Sequence, residues 1–240
     1  MVSLMPEIDG KITHISDTAL MVAACRAHEN ELEDAFVHDP FAARLAGERG
    51  VAILRALPYS NVVRLGLAIR TRFVDELLLE ALATYPIATV LSVGCGLDIR
   101  PWRLDLSPYL RWIEIDVADV LDYKDGLMSG ERARCRRERL TVDLNDAAQR
   151  RAMYEAAGSS SALMITEGLL LYLPAATVDA LAAEASTHSA VADSSPCVSR
   201  RGSSDNGRAF LRMCRSSRGN NGEAADRYTP LPRAGTCAGG

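Results

Sequence analysis

Gly94-Cys95-Gly96 and Asp116 are the residues whose types and spacing point most directly to chemistry. The apolar run Thr89-Val90-Leu91-Ser92-Val93 leads into the two glycines and then into Leu97-Asp98-Ile99-Arg100, with Pro101 suited to the first turn of a helix. Glycines at the carboxyl end of a strand let backbone approach a ligand closely, and open parallel sheets bind their ligands there. Eighteen to twenty residues later a second apolar run ends in Glu114-Ile115-Asp116. An acid in that place can accept both ribose hydroxyls of a nucleoside. Two glycines alone are a weak signal, because a tight turn that holds nothing uses them too. The acid at the next strand end tips the balance toward a nucleoside.

The kind of nucleoside follows from what is missing. A dinucleotide fingerprint needs a third small residue, and position 99 is Ile. There is no GxxxxGK[ST] loop for a triphosphate either. A nucleoside without phosphates, such as S-adenosylmethionine, fits better. It would give Asp143, at a third strand end, the adenine amino group to accept from. Leu144 would add a backbone N–H and an apolar wall. The Val-Asp-Leu string is non-specific by itself and also reads as a strand end with a helix cap.

Arg70 stands on the wrong face of its helix. The apolar residues Val62, Val63, Leu65, Ile69, Phe73, Val74, Leu77, Leu78 and Leu82 recur at helical spacing, and Arg70 points close to Val63, Val74 and Leu77. Arg72 lies on another side, one turn from Glu76, as a solvated pair would. A guanidinium on a buried stripe needs an anion. That anion is either an internal acid or a ligand carboxylate held in a bidentate clamp, which the amino-acid end of S-adenosylmethionine would supply.

The elements that must position these residues alternate as an α/β protein does. A helical stretch is expected over 17–34, a loop and short helix in HDPFAARLAGERG, and a long helix over Asn61–Ala83. Apolar runs at Ala88–Val93, Trp112–Val117, Leu140–Leu144 and Ala162–Thr166 are separated by helical patterns, the signature of βαβ units and a buried parallel sheet. The expected architecture is a doubly wound, mostly parallel sheet.

Composition agrees. The 240 residues are 48% apolar and 24% charged with a net charge of −4, ordinary for a soluble globular chain and without a basic footprint for nucleic acid. No run reaches the roughly eighteen apolar residues of a membrane helix, and no export signal opens the chain. The six scattered cysteines contain no CxxC pair, which argues against zinc and, with no leader, for reduced thiols in the cytoplasm. The run ERARCRRER over 131–139 reads as a solvated helix face or loop rather than a site for an acidic partner.

The string LSVGCGLDIRPWRLDLSPYLRWIEIDVADVLDYK, with AIRTRFVDELL before it and ITEGLLLYLP after it, resembles the S-adenosylmethionine-dependent methyltransferases of the leucine carboxyl methyltransferase family, in its actinobacterial branch. The resemblance runs from about Thr18 to Ala185. It implies a Rossmann-like, seven-stranded sheet. It further implies cofactor contacts by Arg70 (methionyl carboxylate), Gly94 and its loop with Gly96, Asp116 (ribose), Asp143 and Leu144 (adenine), and Glu167 (near the methionyl amine). In the eukaryotic members a lysine near the N-terminus reaches the cofactor, and Val22 stands at the corresponding position here. The implied activity is methyl transfer, with a carboxylate or hydroxyl of a small molecule as acceptor and no metal. His14, His28, His38 and His188 form no recognisable base motif, so no catalytic residue is assigned. Two other classes stay open: a nicotinamide-dependent oxidoreductase, opposed by Ile99 and EGLLLYLP, and an inactive remnant of the methyltransferase fold.

The chain changes character near residue 186, dividing a methyltransferase domain over 1–185 from a tail over 186–240. The tail holds eight of the 27 basic residues, all Arg, and four of the 31 acids. It is rich in Ser, Gly, Arg and Ala and has no apolar period, a composition expected to be flexible. It reads either as a natural linker-like tail or as the product of a frame slip near residue 187. Family members continue with a helix and about three further strands, so those strands are expected to be missing. Ala162–Thr166 would then be an exposed edge and the chain poorly soluble and weakly active.

Overall fold

A computed structural model describes residues 15–188 together with the backbone of 196–198 and 211–213. The remaining part of the tail over 186–240 lies outside the described residues, and with it most of what the composition predicts there.

Among the described residues three helices precede the sheet: α1 (Ile15–Glu29), α2 (Ala42–Ala56) and α3 (Ser60–Thr84). The expected helix over 17–34 stops at Glu29, because that carboxylate accepts the Phe36 amide at 2.6 Å and Arg26 pairs with Asp39 at 2.7 Å, folding the chain back. The stretch read as loop and short helix is a full fifteen-residue α2, kinked at Gly47. It crosses α1 so closely that a Cβ on Gly50 would lie 2.5 Å from the Leu20 carbonyl oxygen.

The long helix falls almost where the periodicity puts it, but its buried face differs. Ala68, Thr71, Val74, Asp75, Leu78 and Ala81 are buried, whereas Val62, Leu65, Ile69 and Phe73 are exposed. Two apolar rows share the helical period, and the row of smaller residues is the one that faces inward. Buried in that row, Asp75 is held by arginines rather than by solvent.

The sheet contains β1 (Thr89–Val93), β2 (Arg111–Asp116), β3 (Arg136–Thr141), β4 (Ala162–Thr166), β5 (Pro196–Val198) and β6 (Leu211–Met213), in the order β3-β2-β1-β4-β5-β6. The first four are parallel neighbours, in register from Thr89↔Arg111 and Thr89↔Ala162 outward. Alternate residues face opposite layers. Leu91, Val93, Ile113, Ile115 and Met164 pack with Met153 and Tyr154 of α6 (Ala147–Ala156) and Leu181 of α7 (Ala175–Thr187). Val90, Trp112, Leu163 and Ile165 pack with Val74, Leu78 and Ala81 of α3 on the other face. Short α4 (Arg100–Arg103) joins α1 and α2 in a third cluster through Trp102, and α5 (Ala118–Leu127) leads from β2 toward β3. Helices on both faces make this the doubly wound α/β architecture expected.

Two strand expectations need correction. The strand predicted at Leu140–Leu144 starts earlier, at Arg136, and includes the second half of the arginine run, which is therefore neither helix nor loop. It is an edge strand, half-solvated, so its sequence is charged where the central strands are apolar. At the opposite side Ala162–Thr166 is not the last strand. Three-residue β5 pairs parallel with it through Ile165↔Val198, and β6 pairs antiparallel with β5. No described helix is long and apolar enough to cross a membrane.

Candidate cofactor and active site

From β1 the chain steps outward through β2 and β3, then returns to lay β4 on the other side of β1. Loops leaving β1 and β4 therefore diverge and open a crevice at the carboxyl ends of the strands. A cavity of about 380 Å³ occupies it, within the usual range for small-molecule sites. Its walls include Arg70, Gly94, Gly96, Asp116, Asp143, Leu144 and Glu167, so the structure brings all seven expected residues together, and Val22 with them.

The glycine loop is tied to the strand beside it. The amides of Gly94 and Cys95 both donate to the Ile115 carbonyl, at 2.8 and 3.1 Å. Gly94 has φ +64, and a Cβ there would lie 2.6 Å from Leu169 Cδ1 on the opposite wall. The left-handed φ favours glycine, and a Cβ would in addition force the Leu169 side chain to shift. The Gly96 amide donates to Asp116 Oδ2 at 2.8 Å, and Oδ1 accepts the Val117 amide at 2.8 Å. Each carboxylate oxygen keeps acceptor capacity for a second donor, as a ribose diol would offer.

Asp143 and Leu144 follow β3. Asp143 is exposed, with Oδ1 accepting the Asn145 amide at 2.9 Å and its own amide donating to Gln149 Oε1 at 2.9 Å. It is not the cap of α6. Asp146 is, accepting from Ala148 and Gln149 at 2.8 and 3.2 Å. The Leu144 side chain joins the apolar cluster on that sheet face, while its amide has no protein partner among the described residues.

Arg70 has the internal acid that burial called for. Its Nε donates to Glu167 Oε1 at 2.8 Å, while neither terminal nitrogen has a protein partner among the described residues. Gly168 leaves room beside them, since a Cβ there would come within 3.5 Å of Nη1. Arg72, by contrast, pairs with Glu76 at 2.6 Å in solvent, as expected.

Arg100 is the residue sequence reasoning missed. It is 2% exposed and meets three acids: Asp75 at 2.6 Å, Asp98 at 2.8 Å and Glu167 at 2.9 Å. Arg103 adds a second guanidinium to Asp75 at 2.6 Å. A signal was present, because Asp75 lies on the same helix as Arg70 and is equally out of place beside Val74 and Leu78. Burial alone would raise the acids, but Arg100, Arg103 and Lys124 pull the Asp98 carboxyl down to about 2. Burial is likewise outweighed at Glu167, where Arg100 and Arg70 hold the carboxylate ionised. The same acids keep Arg100 charged against its own burial. The cavity floor is thus a fixed lattice of charges, and Arg70 lies on the cavity wall beside it.

A Rossmann-like αβα layer, with a glycine turn and a strand-end acid beside this charged floor, places the chain in the doubly wound α/β class. The leucine carboxyl methyltransferase family profile matches residues 19–186, and the chain belongs to that family. A Streptomyces avermitilis protein named "Putative S-adenosyl-L-methionine-dependent methyltransferase" is 36% identical over 184 residues, covering 72% of this chain and 65% of its own length. A Frankia alni relative bearing the same description is 36% identical over 176 residues, covering 68% of this chain and 61% of the relative. A third, from Streptomyces coelicolor, is 34% identical over 184 residues, covering 72% and 65%. The chain thus spans just under two thirds of the length of these relatives.

Proposed function

We propose that the chain binds S-adenosylmethionine in the strand-end cavity and transfers its methyl group to an oxygen of a small molecule, a carboxylate or a hydroxyl. The observation that carries this reading is the convergence of Arg70, Gly94, Gly96, Asp116, Asp143, Leu144 and Glu167, from five separate segments, on one cavity. The residues suit the ligand. Asp116 has acceptor capacity for a ribose diol, and Asp143 with the Leu144 amide offers an acceptor and a donor for an adenine edge. Arg70 keeps two nitrogens for a carboxylate while Glu167, ionised between two arginines, can meet an ammonium group. Ile99, at 0% exposure, fills the space where a dinucleotide fingerprint needs a small residue.

When bound, the sulfonium would supply an already activated methyl, so the protein's share is positioning and exclusion of water. Leu67, Leu169, Leu171, Tyr172 and Leu173 line the remaining wall and provide an apolar approach for the acceptor. A carboxylate acceptor is ionised at neutral pH and needs no general base, whereas a hydroxyl would need one. Incubation with methyl-labelled S-adenosylmethionine and a mixture of carboxylic, hydroxylic, amine and thiol acceptors tests the reading. Base-labile label indicates an ester and base-stable label an ether. Label incorporated only into nitrogen or sulfur acceptors, or quenching of protein fluorescence by NADH instead, contradicts it.

A further inference from the structure

Lys124, on the inner side of α5, is fully buried at 0% exposure, and Glu114 in the middle of β2 is buried with it at 1%. Lysine is almost never buried to that extent without partners. Its ammonium has three donors and three acceptors meet it: Glu114 Oε1 at 2.8 Å, the Asp98 carbonyl at 2.9 Å and Cys95 Sγ at 3.6 Å. Glu114 is in turn fixed from the other side, with Oε2 accepting Arg137 Nε of β3 at 2.8 Å. A buried pair of this kind adds little net stability over two apolar side chains of the same size, so charge pairing alone does not account for it.

Two of the three contacts belong to the glycine loop. The loop's outer side is held by Asp116 through the Gly96 amide, and its inner side is held by Lys124 through Cys95 and Asp98. With the Asp98 carbonyl drawn down to Lys124, the Asp98 side chain reaches Arg100 at 2.8 Å, which links the loop to the charged cavity floor. The sheet therefore grips the loop at two points. One is a cavity residue, and the other lies beneath it, out of reach of any ligand.

We infer that Lys124 is a positioning residue that ties the glycine loop to β2 and so sets the affinity of the cavity for its ligand. The affinity part rests on the function proposed above, whereas the tie to the loop does not. Lys124 touches no ligand on this account and acts only through Cys95 and Asp98.

The test uses the full chain and the variants Lys124→Met and Glu114→Gln/Lys124→Met, the second removing both buried charges together. Lys124→Met is expected to lower the thermal midpoint and weaken S-adenosylhomocysteine binding by about tenfold, the scale of one lost hydrogen bond. The double variant should recover the midpoint but not the affinity. Without ligand, its Gly96 and Asp98 amides should exchange about tenfold faster than in the parent chain, with Ile113–Ile115 unchanged. Recovery of both affinity and loop protection in the double variant would overturn the inference, leaving Lys124 as a counter-charge for Glu114. If the parent chain binds no S-adenosylhomocysteine, the proposed function fails, and the exchange of Gly96 and Asp98 still decides the role of Lys124. Should Lys124→Met not fold, the double variant carries both readouts.

Discussion

Arginine is used in two opposite ways in this molecule, at the cavity floor and along the outer sheet edge. At the floor, Arg100 and Arg103 are nearly enclosed; Asp75 and Glu167 are each held by two arginines, and Asp98 by Arg100 alone. On β3, Arg136 and Arg139 are 69% and 41% exposed, and they pair with Glu138, Asp122 and Asp125 across solvent. The edge is the conspicuous region in the sequence, since it carries the second half of the run over 131–139, whereas Arg100 is a single residue before a proline. Burial, not density, separates them. Enclosed charges hold one another in fixed protonation states and define a site. Exposed charges protect an unpaired strand edge and are interchangeable.

That contrast can be broken or sharpened by substitution. Arg100→Met leaves Asp75, Asp98 and Glu167 short of a partner and should cost about 3–5 kcal/mol in urea unfolding, because a broken buried pair strands its charge. A loss below ~1 kcal/mol would show that the floor tolerates loose charges as the edge does. Gly94→Ala places a Cβ against Leu169 in a left-handed backbone and should cost about 2–4 kcal/mol. Gly126→Ala, where a Cβ would meet nothing within 4 Å, serves as its control.

Acid provides a third probe. Asp98 falls from an ordinary 3.8 to about 2 in the folded protein, so its share of stability is present above about pH 4 and is lost as pH falls through about 2. That share is roughly 2 kcal/mol. The parent chain should exceed Asp98→Asn in stability by that amount at pH 6 and converge with it near pH 2. Parallel curves would remove Asp98 from the lattice. The smallest effect is expected at the edge, where Arg136→Ala should change stability by no more than about 0.5 kcal/mol. A larger loss there would mean that the edge network is cooperative.

The legible parts of the sequence were those where one local rule acts alone. Ala162–Thr166 is a strand over the span its apolar run covers, because both of its faces are buried and every residue is apolar or β-branched. The glycine turn and Asp116 were legible because a strand end places both by simple counting. The buried face of α3 was not, because Val62, Leu65, Ile69 and Phe73 repeat at the same period as the buried row and only tertiary packing chooses between them. Arg70, on a partly apolar stripe, calls for an anion, and the sequence leaves both an internal acid and a ligand open to it. The structure supplies Glu167 to one nitrogen and leaves the other two without a protein partner among the described residues, in a side chain that lines the cavity. Arg100 and Asp75 escaped notice because their partners lie 25 residues apart and meet only when α3 crosses the loop after β1.

The cavity at the strand ends is proposed to hold the S-adenosyl group, with Asp116 on the ribose. Calorimetric titration of the chain with S-adenosylhomocysteine, in parallel with Asp116→Ala, tests it most directly. One site per chain is predicted, with affinity weakened by about 1.5–3 kcal/mol in the variant, the worth of hydrogen bonds to a charged acceptor. Absence of binding to the parent chain, or an equal dissociation constant for Asp116→Ala, would contradict it.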